Sequence, residues 1–407
     1  MKRVAITGLG VISSIATGVP AFWNALKQGA SGISQLSNIP LDGLLNKIAA
    51  EVKGFDPVAH FDPKKLPMYD RFSQFAMVAA REAIADAGLS FSGESGEKTA
   101  CIIGSGIGGQ NTIEEQYVKI IGGGPLGTQT IRAHPFTVPR LMPNAAGCQV
   151  SMEHGITGPG YTIASACASA THAIGTAFHM IKSGMMQAAV TGGSEACLTY
   201  GTIKSWEALR VMATDTCRPF SLGRGGMILG EGAGMIVLEE MEHAKQRGAK
   251  IHAELAGFGM SSDAKDITTP DAGGMSRAIT GALKDAGLNP EDIQYINAHG
   301  TGTRSNDATE SRAIHQSFGA HAKKLAVSSS KSMFGHALGA AGALETVVSV
   351  LAIQNNVAPP TMNYTTPDPE CDLDVVPNAA RDLNIRACLN NSFAFGGLNA
   401  VLVMKKV

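Results

Sequence analysis

Short apolar runs alternate with longer amphipathic segments in the first part of the chain. The apolar runs that predict strands cover residues 2–6, 99–103, 187–191 and 235–238. The amphipathic or charged segments that predict helices cover residues 19–28, 72–87 and 239–248. This alternation predicts an α/β protein with largely parallel sheets whose faces are covered by helices.

The same order of elements begins again after residue 250. Strands are predicted at residues 251–255, 293–297, 325–328 and 401–404, and helices at residues 275–286 and 309–318. A strand, a turn that contains serine and a helix surround Cys167 in the first part and Lys331 in the second, so these two residues occupy corresponding places. We therefore expect two similar halves, residues 1–250 and 251–407, whose layers pack together around one large core.

Cys167 lies in the most informative segment, residues 161–178, which reads as a strand, a turn and a helix. Free N–H groups and the dipole at a helix start favour negative charge, so we expect the thiol to be shifted towards the nucleophilic thiolate. The small side chains around it leave room for an acyl chain. Most free cysteines are small buried hydrophobic residues, so the residue alone leaves both interpretations open.

Composition narrows the class of protein. The 407 residues are 44% hydrophobic and carry a net charge of −1, which predicts a globular core and no global field for nucleic acid or an anionic membrane. Seven cysteines without a CxxC pair favour reduced thiols in the cytoplasm. Residues 154–181 carry no Asp, Glu, Lys or Arg, but Gly, Ser, Thr and His interrupt them, so we expect no membrane span.

Residues 104–109 follow a predicted strand and match the pattern GxGxxG. A dinucleotide site built on this pattern needs an acidic residue about twenty positions further on. No Asp or Glu lies between Glu115 and Glu153. The pattern is therefore set aside as a nucleotide site.

Two histidines stand in glycine-rich turns of the second half, His299 after a strand and His336 at a helix start. Two neutral imidazoles that direct N–H groups at one oxygen could stabilise an enolate or oxyanion, although such histidines are often only structural. Lys331 and Glu345 stand among Gly, Ala, Leu and Val, which favours a role behind the histidines over a surface ion pair. No Cys or His pair has the spacing of a structural zinc site, so no metal is predicted.

Residues 390–399 read as the end of a strand that turns through Gly396 and Gly397. The two glycines would allow this loop to direct N–H groups at a substrate or to move Phe395 as a gate. A tight turn with two aromatic core residues explains the same letters equally well.

These motifs together resemble the β-ketoacyl-acyl-carrier-protein synthases. The segments that carry the likeness are residues 165–167, 299–303, 331–336 and 391–397. The likeness extends over the whole chain and is strongest to the type II elongating enzymes with a Cys-His-His set. It implies a thiolase-like five-layer α-β-α-β-α fold, a homodimer, acyl carrier protein as partner, and no soluble cofactor, because the substrates carry phosphopantetheine.

The resemblance implies a decarboxylative Claisen condensation in fatty-acid elongation, and with it a role for each motif. Cys167 would accept an acyl group, and malonyl-carrier protein would lose CO₂ to give an enolate held by His299 and His336. Lys331 and Glu345 would support the site electrostatically.

The resemblance also assigns the contacts with substrate and carrier. The backbone N–H groups of Cys167 and Phe395 would form the oxyanion hole, and Ile107 would limit the acyl tunnel. The substrate and pantetheine contacts would be Thr268, Thr301, Thr303, Ile107 and Phe395. The basic patch for the carrier protein would be Lys64, Lys65, Arg71 and Arg210.

Three positions depart from the usual pattern of that family. Ala394, Leu398 and Phe334 stand where Gly, Thr and a small polar residue are common. A specialised ketosynthase for polyene, polyketide or nodulation-type acyl chains therefore stays open. A non-catalytic partner that only binds carrier protein is a further alternative, and the presence of Cys167 argues against it. Thiolase chemistry on coenzyme A esters would need a second cysteine in the C-terminal glycine loop, which has none.

Overall fold

A computed structural model of the chain describes residues 1–122 and 133–407. The strands are Val4–Ser13 (β1), Ile33–Gln35 (β2), Ile48–Ala50 (β3), Thr99–Gly104 (β4), Gly160–Ile163 (β5), Ala188–Glu195 (β6), Gly232–Glu240 (β7), Ala253–Ser262 (β8), Tyr295–Asn297 (β9), Ala326–Ser328 (β10), Val357–Ala358 (β11), Arg381–Asp382 (β12), Ala387–Ala394 (β13) and Leu398–Lys405 (β14).

The α-helices are Val19–Lys27 (α1), Arg71–Ala87 (α2), Glu94–Glu97 (α3), Gln110–Ile121 (α4), Thr137–Leu141 (α5), Ala145–His154 (α6), Ser169–Lys182 (α7), Tyr200–Leu209 (α8), Met241–Gln246 (α9), Ala272–Ala286 (α10), Arg304–Phe318 (α11), Lys331–Phe334 (α12) and Ala341–Asn355 (α13).

The main sheet confirms that the chain consists of two similar halves. Its strand order is β10-β9-β13-β14-β8-β1-β7-β6-β4-β5. Reading outwards from the centre, β1-β7-β6-β4-β5 of the first half is repeated by β8-β14-β13-β9-β10 of the second, with the same sequence of strand directions. The predicted division at residue 250 falls between β7 and β8.

The prediction of largely parallel sheets is wrong. In the first half β4 runs parallel to β5 and β6, but β7 runs antiparallel to both β6 and β1. In the second half β14 takes the place of β7, antiparallel to β13 and β8. The last strand of each half returns beside the first strand of that half, and this return reverses its direction.

Some predicted boundaries are also wrong, for steric reasons. The first strand continues through Gly8 and Gly10 to Ser13, because these glycines bring β1 against α2. A Cβ atom there would stand 2.0 Å from the Ala83 carbonyl oxygen and 1.9 Å from that of Ala79. The helix predicted at 239–248 is shorter, since its first two residues complete β7.

Helices and strands form the five layers that the resemblance implies. Helix α2 covers the outer face of β1, β6 and β7, and α10 covers β8 and β14. Helices α7 and α13 lie between the two halves of the sheet and contact strands from both. The segment Leu338–Asn355 is apolar and long enough to cross a membrane, yet 89% of it is buried inside the protein, where α13 forms the central layer.

Candidate active site

Cys167 lies in a tight turn between β5 and α7. Ala166 takes a left-handed backbone conformation, with φ of 49°, which costs a residue other than glycine roughly 1–2 kcal/mol. Two hydrogen bonds hold the turn: the Ser165 N–H donates to the Ser169 hydroxyl oxygen at 2.9 Å, and that hydroxyl donates to the Ala166 carbonyl at 2.7 Å. The turn presents the Cys167 thiol, on a residue that is 7% exposed, to a cavity.

The expected thiolate is not the resting state of Cys167. Burial raises the pKa of its thiol to about 11, because the charged form loses its hydration. The charge of Lys331 and the backbone N–H groups of Phe395 and Cys167 lower the pKa, but they do not offset burial. The prediction based on the helix start is therefore wrong for the protein without substrate, and the thiol needs a proton acceptor.

His299 follows β9 and is fixed by backbone and side-chain hydrogen bonds. The Glu310 carboxylate accepts the N–H groups of His299 and Gly300 at 2.9 and 2.8 Å. The Lys331 ammonium lies 3.4 Å from Nδ1 of His299. An ammonium can only donate, so Nδ1 is the acceptor and Nε2 carries the proton. Burial and Lys331 hold the pKa of His299 well below its usual value, which keeps the ring neutral.

Lys331 and Glu345 form a fully buried ion pair behind the histidines. Lys331 also donates to the His299 carbonyl oxygen at 2.7 Å. Burial raises the pKa of Glu345 to about 7, against the lowering effect of Lys331. The alternative of a surface ion pair is thus excluded, and the pair stands where it can set the protonation of His299.

His336 is held through its backbone. Its N–H donates to the Ile228 carbonyl at 2.7 Å, and its carbonyl accepts the Gly230 N–H at 2.9 Å. Both ring nitrogens are buried without a hydrogen-bond partner in the described residues. Burial and Lys331 hold the pKa of His336 well below its usual value. The ring is therefore neutral and available to a ligand.

The thiol and the two imidazoles converge. The Cys167 sulfur and ring nitrogens of His299 and His336 all lie within 4.8 Å of one another, and the two rings meet edge to face at 5.4 Å. Such a group could in principle hold a metal ion, and residue spacing alone could not reveal it because its members come from separate segments. The same spacing places one nucleophile and two N–H donors around a single carbonyl group.

A cavity of about 360 Å³ connects these groups to the surface. It runs from exposed residues such as Leu209 and Ile267 down to Cys167. The predicted contacts that line it are Thr268, Thr301, Thr303 and Phe395, together with His299 and His336. Ile107, Lys331 and Glu345 do not line it.

The predicted gate is a hairpin between β13 and β14. Gly396 and Gly397 have φ of 82° and 67°, which the turn requires. The Gly396 N–H donates to the Ile267 carbonyl at 2.7 Å, so the hairpin is joined to the opposite wall of the cavity. Trp206, which the sequence analysis missed, stacks on Phe395 at 5.9 Å. Only its identity as one of two tryptophans could have drawn attention to it.

Two residues that were considered for substrate selection lie away from the cavity. Phe334 is buried and packs on Phe22, with ring centroids 5.8 Å apart, so it fills the core and cannot shape the cavity directly. The Ile107 N–H donates to the carboxylate of Glu195 at 3.2 Å.

The four basic residues predicted for carrier binding have different surroundings. Lys64 and Lys65 are exposed, and Arg210 is exposed beside Leu209 at the rim of the cavity. Arg71 is mostly covered, because its guanidinium pairs with buried Glu231 at 2.7 Å.

Known proteins resemble this chain in sequence and in architecture. The profile of the beta-ketoacyl synthase N-terminal domain matches residues 1–244, and that of the C-terminal domain matches residues 252–365. Nodulation protein E of Rhizobium sp. (strain N33) is 47% identical over 406 residues, covering 100% of both chains. The 3-oxoacyl-[acyl-carrier-protein] synthase 2 of Staphylococcus aureus (strain N315) is 44% identical over 412 residues, covering 100% of this chain and 98% of the relative.

A solved type II polyketide complex adds structural evidence. It contains an acyl-carrier protein with its ketosynthase bound to a hexaketide, and it matches with a TM-score of 0.91 and 35% identity. The match covers 100% of this chain and 99% of that one. With the two domain profiles and the full-length relatives, this places the chain in the beta-ketoacyl synthase family, as a ketosynthase with a thiolase-like fold and the condensing activity of an acyltransferase.

Proposed function

We propose that this ketosynthase condenses an acyl thioester with malonyl-acyl carrier protein to a 3-oxoacyl product in fatty-acid elongation. The observation that carries the proposal is the convergence of Cys167, His299 and His336 within 4.8 Å at the buried end of a cavity that opens to the surface. A cavity of this shape suits a substrate that arrives on a flexible arm, with its thioester at the tip.

The first step is acyl transfer. The Cys167 sulfur attacks the thioester carbonyl carbon, the bond from that carbon to the carrier sulfur breaks, and the carrier leaves as a thiol. The thiol proton passes through a free ring nitrogen of His336 to the leaving sulfur, which answers the raised pKa of Cys167. The backbone N–H groups of Cys167 and Phe395 stabilise the oxyanion.

The second step forms the carbon–carbon bond. Malonyl-carrier protein loses CO₂, and the electron pair of the broken bond moves into an enolate whose oxygen accepts N–H donors from His299 and His336. The enolate carbon then attacks the carbonyl carbon of the Cys167 thioester, the carbon–sulfur bond breaks, and the sulfur leaves as a thiolate that takes a proton from solvent. The chemistry calls for no soluble cofactor and no metal.

We assign docking of the acidic carrier protein to the rim of the cavity, where Arg210 is exposed beside Leu209. Lys64 and Lys65 are exposed as well and would provide further positive charge for the carrier. Arg71 is less suited to this task, because its guanidinium is engaged by the buried Glu231. Thr301 and Thr303, whose hydroxyls lie 2.9 Å apart, contact the pantetheine arm together with Thr268. We assign the protein to the cytoplasm, where its carrier is made.

The second subunit is proposed to be another copy of the chain, bound at β5. Among the residues that the structure describes, β5 pairs only with β4, which leaves its other edge free. Two exposed apolar side chains belong to this region: Tyr161 lies on β5 itself and is 40% exposed, and Met152 lies on α6, which packs against β5, and is 68% exposed. A second copy that pairs edge to edge would cover both.

A specialised ketosynthase is the second candidate. Ala394 ends the strand that leads into the gate, and Leu398 begins the strand that leaves it and packs against the core. A relative named for nodulation is as similar as the one named for 3-oxoacyl synthesis. The relative named for nodulation, at 47% identity over the whole chain, is the observation that keeps this candidate beside elongation.

Intact-mass spectrometry distinguishes these functions. The purified protein is incubated with saturated and polyunsaturated acyl-carrier proteins, and malonyl-carrier protein is added afterwards, with Cys167→Ala as the control. We expect an adduct that depends on Cys167 and disappears into a 3-oxoacyl product. Preference for saturated donors indicates elongation, preference for polyunsaturated donors indicates the specialised enzyme, and the absence of any adduct disproves both and favours a non-catalytic partner.

A further inference from the structure

The glycine-rich turn at residues 104–109 binds a carboxylate of the protein itself. Glu195, at the end of β6, is fully buried, and both of its oxygens accept hydrogen bonds. One oxygen accepts the Ser105 hydroxyl at 3.1 Å and the Ile107 N–H at 3.2 Å. The other accepts the Gly106 N–H at 2.6 Å. Successive N–H groups of this kind form an anion site, and here the anion is internal.

The fourth donor to Glu195 comes from the other half of the protein. The Gly339 N–H donates to the same oxygen as Gly106, at 3.0 Å. A Cβ atom on Gly106 would lie 2.9 Å from that oxygen, and one on Gly339 would lie 2.5 Å from it. Only glycine at these two positions lets both backbones approach the carboxylate.

Gly339 is three residues from His336, whose imidazole has no hydrogen-bond partner among the described residues. A ring without such partners takes its position from its backbone. The backbone of His336 is attached to Ile228 and Gly230 on one side. On the other side, the turn that follows it is attached to Glu195 through Gly339.

We propose that Glu195 is a positioning residue that joins the turn of residues 105–107 to the loop of His336, and so sets the place of the imidazole beside Cys167. The bond from the Ile107 N–H to the carboxylate, at 3.2 Å, fixes the far end of the turn in the same way. The positioning of His336 is independent of the proposed function, and only the use of its imidazole in condensation rests on that proposal.

Glu195 has no partner of opposite charge in the part of the chain that the structure describes. Within the described chain no Lys, Arg or His side chain pairs with it, and the titratable groups that face it are the thiols of Cys167 and Cys197. Burial raises the pKa of Glu195 to about 7, against its four hydrogen bonds. A protonated carboxyl would turn an O–H group towards an N–H donor. The hydrogen bonds that join Glu195 to the turn and to Gly339 therefore weaken as the pH falls through about 7.

The test compares Glu195→Gln with Glu239→Gln in the full-length protein. Glu239 is a buried carboxylate at the opposite end of the same strand pair, where it lies opposite Ala188. The ring signals of His336, assigned with His336→Ala in ¹⁵N-histidine NMR spectra, report its position without any reaction. We expect Glu195→Gln to shift or broaden them and Glu239→Gln to leave them unchanged.

Activity provides the second readout. We expect Glu195→Gln to slow condensation at least about tenfold, as loss of an orienting partner does, while alkylation of Cys167 stays within about threefold of the wild type. The wild type should lose condensation activity as the pH falls through about 7, where Glu195 takes up a proton. Glu195→Gln should lose less activity over the same range, and the loss that remains is due to Glu345, which has a similar pKa in both proteins.

Unchanged His336 signals in Glu195→Gln overturn the inference, whether or not the wild type condenses substrates. Failure of the wild type to condense, with shifted His336 signals in the variant, counts against the proposed function alone. Should Glu195→Gln not fold, Ser105→Ala removes one donor and keeps the carboxylate. A smaller shift of the same signals is then expected, and no shift is the contrary result.

Discussion

The turns at Cys167 and Lys331 occupy the same place in the two halves of the fold, but their environments differ. Cys167 follows β5, an edge strand that is partly exposed, and its side chain lines the cavity. Lys331 follows β10, which is fully buried, and its ammonium is enclosed with Glu345. One scaffold element thus presents a nucleophile to substrate in the first half, and in the second half it holds a charge out of reach of substrate.

The difference shows that equivalent turns of a duplicated fold can take different functions, depending on whether they are open to a cavity or buried. A nucleophile must be reached, so its turn is strained, built from small residues and open to a cavity. A charge that sets the tautomer of His299 acts best without water, because a low dielectric strengthens its field. Four variants or measurements break or sharpen this comparison.

The largest effect is expected for His336→Ala, which separates the contributions of the two halves. Loss of one donor to the developing enolate should slow condensation by about 10²- to 10³-fold, while alkylation of Cys167 continues. His315→Ala, at a surface histidine paired with Asp372, serves as the matched control and should retain activity. Equal loss in both variants would show that His336 has no special function.

Lys331→Met should destabilise the protein by about 3–5 kcal/mol, because it leaves Glu345 buried without its partner. The double variant Lys331→Met/Glu345→Gln should recover part of this loss. Urea-induced unfolding measures both. Lys98→Met breaks an exposed pair with Glu94, which solvent screens, and should change stability far less. A Lys331→Met protein as stable as the wild type would contradict the expected cost of leaving Glu345 buried without a partner.

The pH dependence of alkylation tests the environment of Cys167. Its pKa of about 11 predicts a rate with iodoacetamide that rises about tenfold per pH unit between pH 8 and 10, because only the thiolate reacts. Removal of the charge in Lys331→Met should raise the pKa further and slow the reaction at any one pH in this range. Peptide mass spectrometry follows Cys167 separately from exposed Cys148, and a plateau below pH 9 would contradict the expected burial effect.

The smallest effect is expected for Ala166→Gly. Glycine accepts the φ of 49° without strain but loses more freedom on folding, so we expect a net stabilisation below about 1 kcal/mol. Ala173→Gly, inside α7, has no strain to relieve and should destabilise by roughly 1 kcal/mol. Both are measured by urea-induced unfolding. Equal destabilisation in the two variants would mean that the turn stores no strain.

The sequence by itself determined the order along the chain of the ten strands of the main sheet and the identity of the reactive groups. Apolar runs, helix ends and the repeated placement of Cys167 and Lys331 depend on local periodicity and turn chemistry, which neighbouring residues specify. The cost of an unpaired charge in apolar surroundings also indicated that Lys331 and Glu345 are not surface charges, and the structure shows that they are buried and paired with each other.

Only the tertiary structure decided what depends on distant segments. It made β7 and β14 antiparallel to their neighbours, and it extended the first strand through Gly8 and Gly10, which contact α2 closely. It also kept the Cys167 thiol protonated through burial. It also gave the glycine-rich turn of residues 104–109 the carboxylate of Glu195 as its anion. Hydration, burial and approach between chain segments set these outcomes, and none of them is encoded within one stretch of sequence.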